Sequence, residues 1–332
     1  MTRTYRAVWL VGMGGADQLR LVELPLVAPA RGEARVKVLA TGVGYTDVIM
    51  RRGYYPYRPA FPFVPGYEVV GTVDALGDGV TNVAVGQRVA ALTVHGGYAE
   101  YLYRGADELV PVPDGLDAAE VAGVILNYVT AYQMIHRTAK LAPGQLALVT
   151  GASGGVGTAL LELLRVHGVR AIGAASARSH EQVRALGATP IEGRTVPVDI
   201  GARAVAPDGV DAAFDGIGGA TVGQCLRATK RGGILVSYGF TGTVASNLGS
   251  ARGALTLFVG APLQGRRSAF YGITQVYRKD PSSFREDLPT VMAMLADGRI
   301  RPRIERLGLL EGRLAQEKLE AGGATAKLVL VA

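Results

Sequence analysis

A glycine-rich turn stands directly after an apolar strand pattern and directly before a helical one. The strand covers residues 146–150, the turn covers 151–157, and the helix pattern runs over 158–167. Glycine here lets backbone amides approach a pyrophosphate closely, and the start of the helix offers free N–H groups and a partial positive charge. The turn therefore predicts a bound dinucleotide and hydride-transfer chemistry. The residues expected to bind the phosphates are Ser153, Gly154, Gly155 and Val156.

The end of the following strand distinguishes the two nicotinamide dinucleotides. Enzymes that use NAD usually place Asp or Glu there, where it accepts hydrogen bonds from the ribose hydroxyls. Residues 172–180 contain no carboxylate, and the first one that follows is Glu181. Ser176 can hydrogen-bond a 2′-phosphate, and Arg178 can add a charge-assisted contact. The sequence favours NADP(H); the alternative for Arg178 is a solvated residue at a helix start.

These residues need a parallel sheet to position them. Between about residues 118 and 259, predicted helices alternate with predicted strands, which is typical of a parallel sheet covered by helices on both faces. Residues 5–112 instead contain short strands cut by Gly and Pro, which predicts a largely antiparallel, barrel-like domain. The predicted strands are 34–40, 68–74, 88–92, 98–110, 146–150, 170–174, 212–215 and 233–238, and the predicted helices are 118–127, 129–140, 158–167, 180–186 and 283–297.

Composition limits the class of protein. The chain has 332 residues, enough for about two domains, and 48% of them are hydrophobic. No apolar run reaches the roughly 18 residues of a membrane span and the N-terminus lacks the core of a signal peptide, so we expect a cytoplasmic protein without membrane binding. The net charge is +7, but the arginines are scattered, so nucleic-acid binding is not expected. The single cysteine, Cys225, excludes an intramolecular disulfide and is expected to be a small buried hydrophobe.

A series of short motifs runs along nearly the whole chain. In order they are GVGYTD (42–47), RGYYP (52–56), VPGYEVVG (64–71), VGQRV (85–89), GYAE (97–100), NYVTAY (127–132), FDGIGG (214–219), SYG (237–239) and AKLVL (326–330). Together with the glycine turn they resemble the medium-chain dehydrogenase/reductase superfamily, in its zinc-free quinone oxidoreductase branch and vesicle-amine-transport-protein-like subgroup. The resemblance implies an α/β fold in which a doubly wound Rossmann domain (118–261) is inserted in a largely antiparallel, GroES-like catalytic domain (1–117 and 262–332).

The resemblance also bears on metal binding. In zinc-dependent relatives, metal ligands stand at the positions of Gly44, Tyr67 and Leu126, and none of these three is a usual zinc ligand, although Glu68 remains. The lobe with four clustered cysteines that binds a structural zinc ion in such relatives is missing too. We therefore expect no metal and no ordinary alcohol dehydrogenase, because an enzyme without a Lewis acid cannot readily lower the pKa of an alcohol. The four histidines are far apart in no metal-ligand spacing; they are His95, His136, His167 and His180.

Further cofactor residues follow from the resemblance. It implies that Thr130 contacts the nicotinamide side and that Tyr238 and Gly239 follow a strand that opens on the cofactor cleft. Gly218 lies in a similar strand-end loop, where a plain turn former is an equal alternative. Lys327 lies in a segment that family members bring near the cofactor, and an exposed structural lysine is the alternative there.

The implied chemistry is hydride delivery from NADPH to an activated C=C bond or a quinone. Negative charge then develops on the substrate oxygen, so a hydrogen-bond donor should meet it and a proton must arrive. A phenol is neutral at pH 7 and suits this task. Tyr45 and Tyr55 occupy cleft-lining positions of the family motifs and are the candidate catalytic residues, with Tyr54 and Tyr67 as further candidates. Each of them can instead simply shape the pocket.

One departure from the family concerns the substrate. Quinone oxidoreductases generally have Asn where this chain has Gly44, so a polar contact is lost and the pocket is larger. Together with the tyrosines around Tyr55, this predicts a bulky aromatic or polyketide-like substrate of secondary metabolism. The alternative is an NADPH-binding protein with little redox turnover, acting as a regulatory partner or as a non-redox converting enzyme. Family members pair edge strands of their Rossmann sheets, so we expect a homodimer, with residues 253–259 as the edge.

Overall fold

The computed structural model describes residues 3–239, 247–322, 324 and 326–332, and side chains are described for all of these except 247–250. The chain divides into two compact units, unit 1 (residues 1–126 and 280–332) and unit 2 (residues 127–279). The strands are β1 (Thr4–Leu10), β2 (Leu19–Pro25), β3 (Glu33–Val43), β4 (Glu68–Leu76), β5 (Arg88–Leu92), β6 (Tyr101–Gly105), β7 (Val110–Pro111), β8 (Leu146–Thr150), β9 (Arg170–Ala175), β10 (Thr189–Glu192), β11 (Val210–Asp215), β12 (Thr229–Ser237), β13 (Arg267–Phe270), β14 (Ile304–Gly308) and β15 (Lys327–Val331).

Helices follow many of these strands. The α-helices are α1 (Tyr45–Arg51), α2 (Ala118–Gln133), α3 (Gly155–Val166), α4 (His180–Ala185), α5 (Val198–Val205), α6 (Ala220–Ala228), α7 (Asn247–Leu255), α8 (Ala261–Leu263), α9 (Ile273–Lys279), α10 (Ser282–Ala296) and α11 (Gly312–Glu320). Two π-helical turns, Met134–Ala139 and Thr256–Gly260, extend α2 and α7.

Unit 2 is a doubly wound α/β structure. Its parallel sheet has the strand order β10-β9-β8-β11-β12-β13, which is the Rossmann order. Leu148, Ile172 and Leu235 on three of these strands are fully buried, as expected for a parallel sheet with both faces covered. The strand order reverses between β8 and β11, and ligands of such sheets bind outside the carboxyl ends of the strands at that point. The predicted fold class is therefore confirmed for this unit.

Unit 1 contains the antiparallel part of the fold. Its larger sheet has the order β14-β15-β3-β4-β5-β7, with β6 also paired to β3. The C-terminal strand β15 pairs antiparallel with β3, and its Leu328 lies opposite Val43. The C-terminal segment thereby completes the sheet that the N-terminal part begins. Val36, Val73 and Val89 fill its core.

Three features differ from the sequence-based expectations. Residues 118–139 form one continuous helical segment rather than two helices. The expected edge strand at 253–259 is wrong, because these residues are helical in α7 and the π-helical turn, and the edge of the sheet is β13 instead. The unit boundaries fall after residues 126 and 279 rather than 117 and 261, since β13 still pairs with β12.

Candidate functional site

The glycine turn of unit 2 leads directly from β8 into α3. Gly151 has a φ of 60°, and a Cβ added to Gly157 would lie 2.2 Å from the carbonyl oxygen of Gly151. Both positions therefore require glycine for the turn to close this tightly. Gly154 precedes α3, and no side chain caps the helix. Sequence analysis placed the phosphates at Ser153, Gly154, Gly155 and Val156. The Gly154 amide donates to the Gly151 carbonyl at 2.9 Å, whereas Gly155 and Val156 lie in the first turn of α3, whose amides have no acceptor within the helix.

The neighbouring strand ends are tied together by Asp215. This fully buried carboxylate accepts hydrogen bonds from the Thr150 hydroxyl at 2.7 Å and from the Gly218 amide at 3.1 Å. Gly218 has a φ of 81°, which favours glycine and fits its expected alternative role as a turn former. Asp215 was not predicted as a site residue, because its contact with Thr150 on the neighbouring strand leaves no pattern in the sequence.

Tyr238 and Gly239 follow β12 at the same edge of the sheet. The Tyr238 amide donates to the Asp215 carbonyl at 2.9 Å. A Cβ on Gly239 would lie 1.9 Å from the carbonyl oxygen of Gly216, so only glycine fits there. Burial raises the pKa of the Tyr238 phenol, which keeps it protonated at neutral pH.

The end of β9 carries the two residues predicted to select the cofactor. Ser176 is half-buried and Arg178 is exposed, on either side of Ala177. The carboxylate of Glu192, at the end of β10, accepts a hydrogen bond from the Ala177 amide at 3.1 Å. Backbone N–H groups, that of Arg194 foremost, lower the pKa of Glu192 and keep it ionised. Sequence reasoning missed Glu192 because it comes from the next strand.

Thr130 on α2 is a buried residue with an unsatisfied hydroxyl. Its side-chain oxygen has no hydrogen-bond partner among the residues that the structure describes. An unpaired buried hydroxyl costs about 1–3 kcal/mol unless a bound group pairs with it. On the same helix, the Asn127 amide packs against the glycine turn, since a Cβ on Gly155 would lie 2.6 Å from its nitrogen.

In unit 1, Asp47 joins two loops. Its carboxylate accepts a hydrogen bond from the Gly44 amide at 2.8 Å and one from the Gly66 amide at 3.2 Å. Gly44 begins α1 and Gly66 leads into Tyr67 and β4, so one side chain connects both motifs. Burial raises the pKa of Asp47 to about 6, although the hydrogen bonds from the two amides act in the opposite direction and lower it.

The structure brings Tyr55 and Tyr67 together. Their hydroxyl oxygens are 2.6 Å apart and their rings meet edge to face with centroids 6.2 Å apart. Tyr67 is only 2% exposed, and Tyr55 is half-buried. Tyr45, the other candidate catalytic residue, is 44% exposed at the start of α1.

Lys327 forms a buried ion pair with Glu68. Its ammonium nitrogen lies 2.6 Å from a Glu68 carboxylate oxygen, and the two side chains are 7% and 0% exposed. Lys327 was predicted as a cofactor residue or an exposed structural lysine; the exposed alternative is wrong. A Cβ on Gly42 would lie 1.8 Å from the Glu68 carboxylate, so this glycine makes room for the pair. Burial raises the pKa of Glu68, and the Lys327 charge opposes that shift.

The described residues contain no group of three or more His, Cys, Asp or Glu side chains that could hold a metal ion. The sequence had indicated that the four histidines are far apart, but two of them are close together in the structure. The rings of His136 and His167 meet edge to face with centroids 4.5 Å apart, because the π-helical turn of α2 brings His136 to the end of α3. Two imidazoles alone do not make a usual zinc site.

None of the helices in the described part is long and apolar enough to cross a membrane.

Comparisons with known proteins agree with this geometry. The family model of the alcohol dehydrogenase GroES-like domain matches residues 30–133, and that of the zinc-binding dehydrogenase matches residues 186–330. The synaptic vesicle membrane protein VAT-1 homolog of Rattus norvegicus is 32% identical over 96% of this chain and 82% of its own length. The match to the Danio rerio homolog, also 32% identical, covers 93% of this chain and 66% of that protein. The quinone oxidoreductase of Pongo abelii is 27% identical over 98% of this chain and 97% of its own.

Solved structures extend the comparison over the whole chain. A quinone oxidoreductase of Pseudomonas syringae has a TM-score of 0.87 and 26% identity, and covers 99% of this chain and 100% of its own. A mycobacterial protein solved in complex with NADPH has a TM-score of 0.83 and 26% identity, with the same coverage. The fold and the resemblance that the motifs predicted are thus confirmed.

Proposed function

The chain belongs to the medium-chain dehydrogenase/reductase superfamily of oxidoreductases, and from that premise we propose that it transfers hydride from NADPH to the activated C=C bond of an enone or to a quinone. The uncapped start of α3 after the glycine turn carries the proposal, because such a helix start binds the phosphates of a dinucleotide. When bound, NADPH supplies the hydride.

Residues of unit 2 fit this cofactor. The amides of Gly155 and Val156 in the first turn of α3 would hold its phosphates, with Ser153 and Gly154 in the turn beside them, and the unpaired hydroxyl of Thr130 would meet the nicotinamide side. The strand-end loops with Gly218, Tyr238 and Gly239 would complete the cofactor site on the same edge of the sheet. Lys327 is proposed to act mainly through its ion pair with Glu68.

The preference for NADPH over NADH rests on Ser176 and Arg178. Arg178 is exposed with its charge available for a 2′-phosphate, and the mycobacterial neighbour was solved with NADPH. A charge-assisted hydrogen bond contributes about 1.5–3 kcal/mol, so Arg178→Ala should weaken NADPH binding by about 10- to 100-fold and leave NADH binding nearly unchanged. Arg184→Ala, which removes another exposed arginine on α4, is the matched control. Equal losses for both dinucleotides would contradict the assignment.

The substrate class is tested by following NADPH oxidation in a stopped-flow instrument. We propose a bulky aromatic or polyketide-like enone or quinone, because Gly44 leaves space where the family has Asn, and Tyr55, Tyr57 and Tyr67 form an aromatic wall. Substrate-dependent oxidation across a panel of enones and quinones supports the reductase. Binding of NADPH without oxidation supports the alternative, a cofactor-binding protein with little redox turnover. Turnover confined to small quinones would count against the bulky substrate.

We further propose that the reaction needs no zinc and that the protein forms a homodimer. Gly44, Tyr67 and Leu126 supply no metal ligand at the positions that zinc-dependent relatives use. Within the described ranges, β13 is the last strand at one edge of the parallel sheet, and exposed apolar side chains lie in the helical segments just before it, at Leu255, Phe258 and Leu263. Open edges and exposed apolar patches are both typical of association surfaces.

A further inference from the structure

The hydroxyl pair of Tyr55 and Tyr67 is a feature that hydride transfer alone does not explain. At 2.6 Å the two oxygens are within the range of a strong O–H···O hydrogen bond. One phenol of the pair is buried and the other is half-buried. This asymmetry gives the two residues different tasks, since Tyr55 is the more accessible phenol of the pair.

The buried partner is held in place by backbone contacts. The Tyr67 carbonyl accepts hydrogen bonds from the amides of Thr93 at 2.9 Å and Val94 at 3.0 Å. The preceding residue, Gly66, donates to the buried Asp47 carboxylate. The backbone is thus held on both sides of the Tyr67 Cα, and burial of the side chain keeps its hydroxyl beside that of Tyr55.

We propose that Tyr67 positions Tyr55 as the proton donor of the reaction and stabilises it by donating a hydrogen bond to its oxygen. This inference rests on the proposed reductase function. As the substrate carbon accepts hydride, an electron pair moves to the carbonyl oxygen. The O–H bond of Tyr55 breaks, its proton forms the new O–H bond of the enol or hydroquinone, and the charge remains on the Tyr55 oxygen. Tyr67 keeps its own proton and stabilises that charge, and water restores the proton to Tyr55 after the product leaves.

The geometry favours this direction because hydrogen bonds to charged oxygens are roughly twice as strong as neutral ones. The Tyr67 bond therefore strengthens as charge develops on Tyr55, and an interaction that grows in the transition state increases kcat rather than substrate binding. The substrate that fits is one with a carbonyl oxygen in conjugation with the reduced bond. Tyr67 is a positioning residue, and Tyr55 is the residue that meets the substrate.

The test compares Tyr67→Phe, Tyr55→Phe and the double variant with the wild-type protein, using NADPH and the best enone or quinone of the panel. We expect kcat to fall by about 10-fold in Tyr67→Phe and about 100-fold in Tyr55→Phe, with the NADPH dissociation constant unchanged. The double variant should be no slower than Tyr55→Phe, because Tyr67 acts only through Tyr55. The matched control is Tyr101→Phe, with unchanged kcat; Tyr101 begins β6, and its ring packs on Tyr5 of β1.

A solvent deuterium isotope effect on kcat separates proton donation from a structural role. It should be present in the wild-type protein and disappear in Tyr55→Phe, which also keeps the inference testable if Tyr67→Phe does not fold. Multiplicative losses in the double variant, wild-type kcat in Tyr67→Phe, or an unchanged isotope effect in Tyr55→Phe would each overturn the inference. Absence of NADPH oxidation by the wild-type protein would instead refute the proposed reductase function itself.

Discussion

Replacing Lys327 by Met would leave a carboxylate buried without its partner. The Lys327 ammonium lies 2.6 Å from Glu68, and Glu68 is completely buried. The Asp47 carboxylate, which is also acidic, offers no compensation, because repulsion from Glu68 raises the pKa of Asp47. Met preserves the length and apolar stem of lysine, so the change removes the charge with little loss of packing.

The expected cost follows from what Glu68 must do without lysine. Without lysine, burial raises the pKa of the Glu68 carboxyl further and favours its protonated form, and each unit of that rise costs about 1.4 kcal/mol of stability where the unfolded chain is ionised. The loss of stability at pH 7 should therefore lie in the range of about 3–5 kcal/mol for broken buried ion pairs. The loss should shrink as the pH falls towards 4.5, because Glu68 is then protonated in the unfolded chain as well.

Urea denaturation followed by tryptophan fluorescence measures this cost in unit 1. The chain has one tryptophan, Trp9 on β1, so its emission reports on unit 1 alone. Lys318→Met is the matched control: it breaks the half-exposed ion pair of Lys318 with Glu305 and should cost less than about 1 kcal/mol. Adding Glu68→Gln to Lys327→Met removes the unpaired charge and should recover part of the stability.

A different outcome would reassign Lys327. If Lys327→Met loses no more stability than Lys318→Met while its affinity for NADPH falls at least 10-fold, the lysine binds the cofactor and the ion pair is incidental. Loss of stability with unchanged NADPH affinity supports the structural role.

Three further outcomes are expected. Burial raises the pKa of Asp47 to about 6. The wild-type protein should therefore gain up to about 3 kcal/mol of stability relative to Asp47→Asn as the pH falls from 7 to 4, because the folded state takes up the proton first. The measurement is a pair of urea titrations at each pH, and a constant difference between the two proteins would contradict this. Phe258→Lys puts a charge on the exposed apolar surface beside β13 and should convert a homodimer to monomers in sedimentation velocity, whereas Arg252→Lys should not. Dialysis against a chelator should leave NADPH oxidation by the wild-type protein unchanged, and loss of activity that zinc restores would refute zinc independence.

The parts of the fold with local signals could be predicted from the sequence. Strands β5 and β8 have the predicted bounds, because each is a short, mostly apolar run that begins two residues after a glycine. The segment 253–259 was misassigned because a short apolar run does not distinguish a strand from a buried or surface helix. The edge of the sheet is instead Arg267–Phe270, a run with two polar residues that carries little strand signal.

The candidate site could be predicted only where its residues are adjacent in sequence. The glycine turn is one such run, and its position at the end of β8 is as expected. The pairs Tyr55 with Tyr67 and Glu68 with Lys327 depend on how loops and strands meet, and the second joins residues at opposite ends of the chain through the pairing of β15 with β3. Such contacts leave no spacing pattern, so the sequence could indicate the individual residues but not which of them form pairs.

The pairing of Glu68 with Lys327 has a physical link to the missing zinc ligands. The resemblance places the metal ligands of zinc-dependent relatives at the positions of Gly44, Tyr67 and Leu126, and none of these three is a usual zinc ligand. A buried carboxylate needs a compensating positive charge or a proton, and in this chain Lys327 supplies that charge from β15. The ion pair leaves no room for a side chain at position 42, where the chain has glycine. A metal placed beside Glu68 would have to compete with the ammonium group, so the internal ion pair supports the proposal that the reaction needs no zinc.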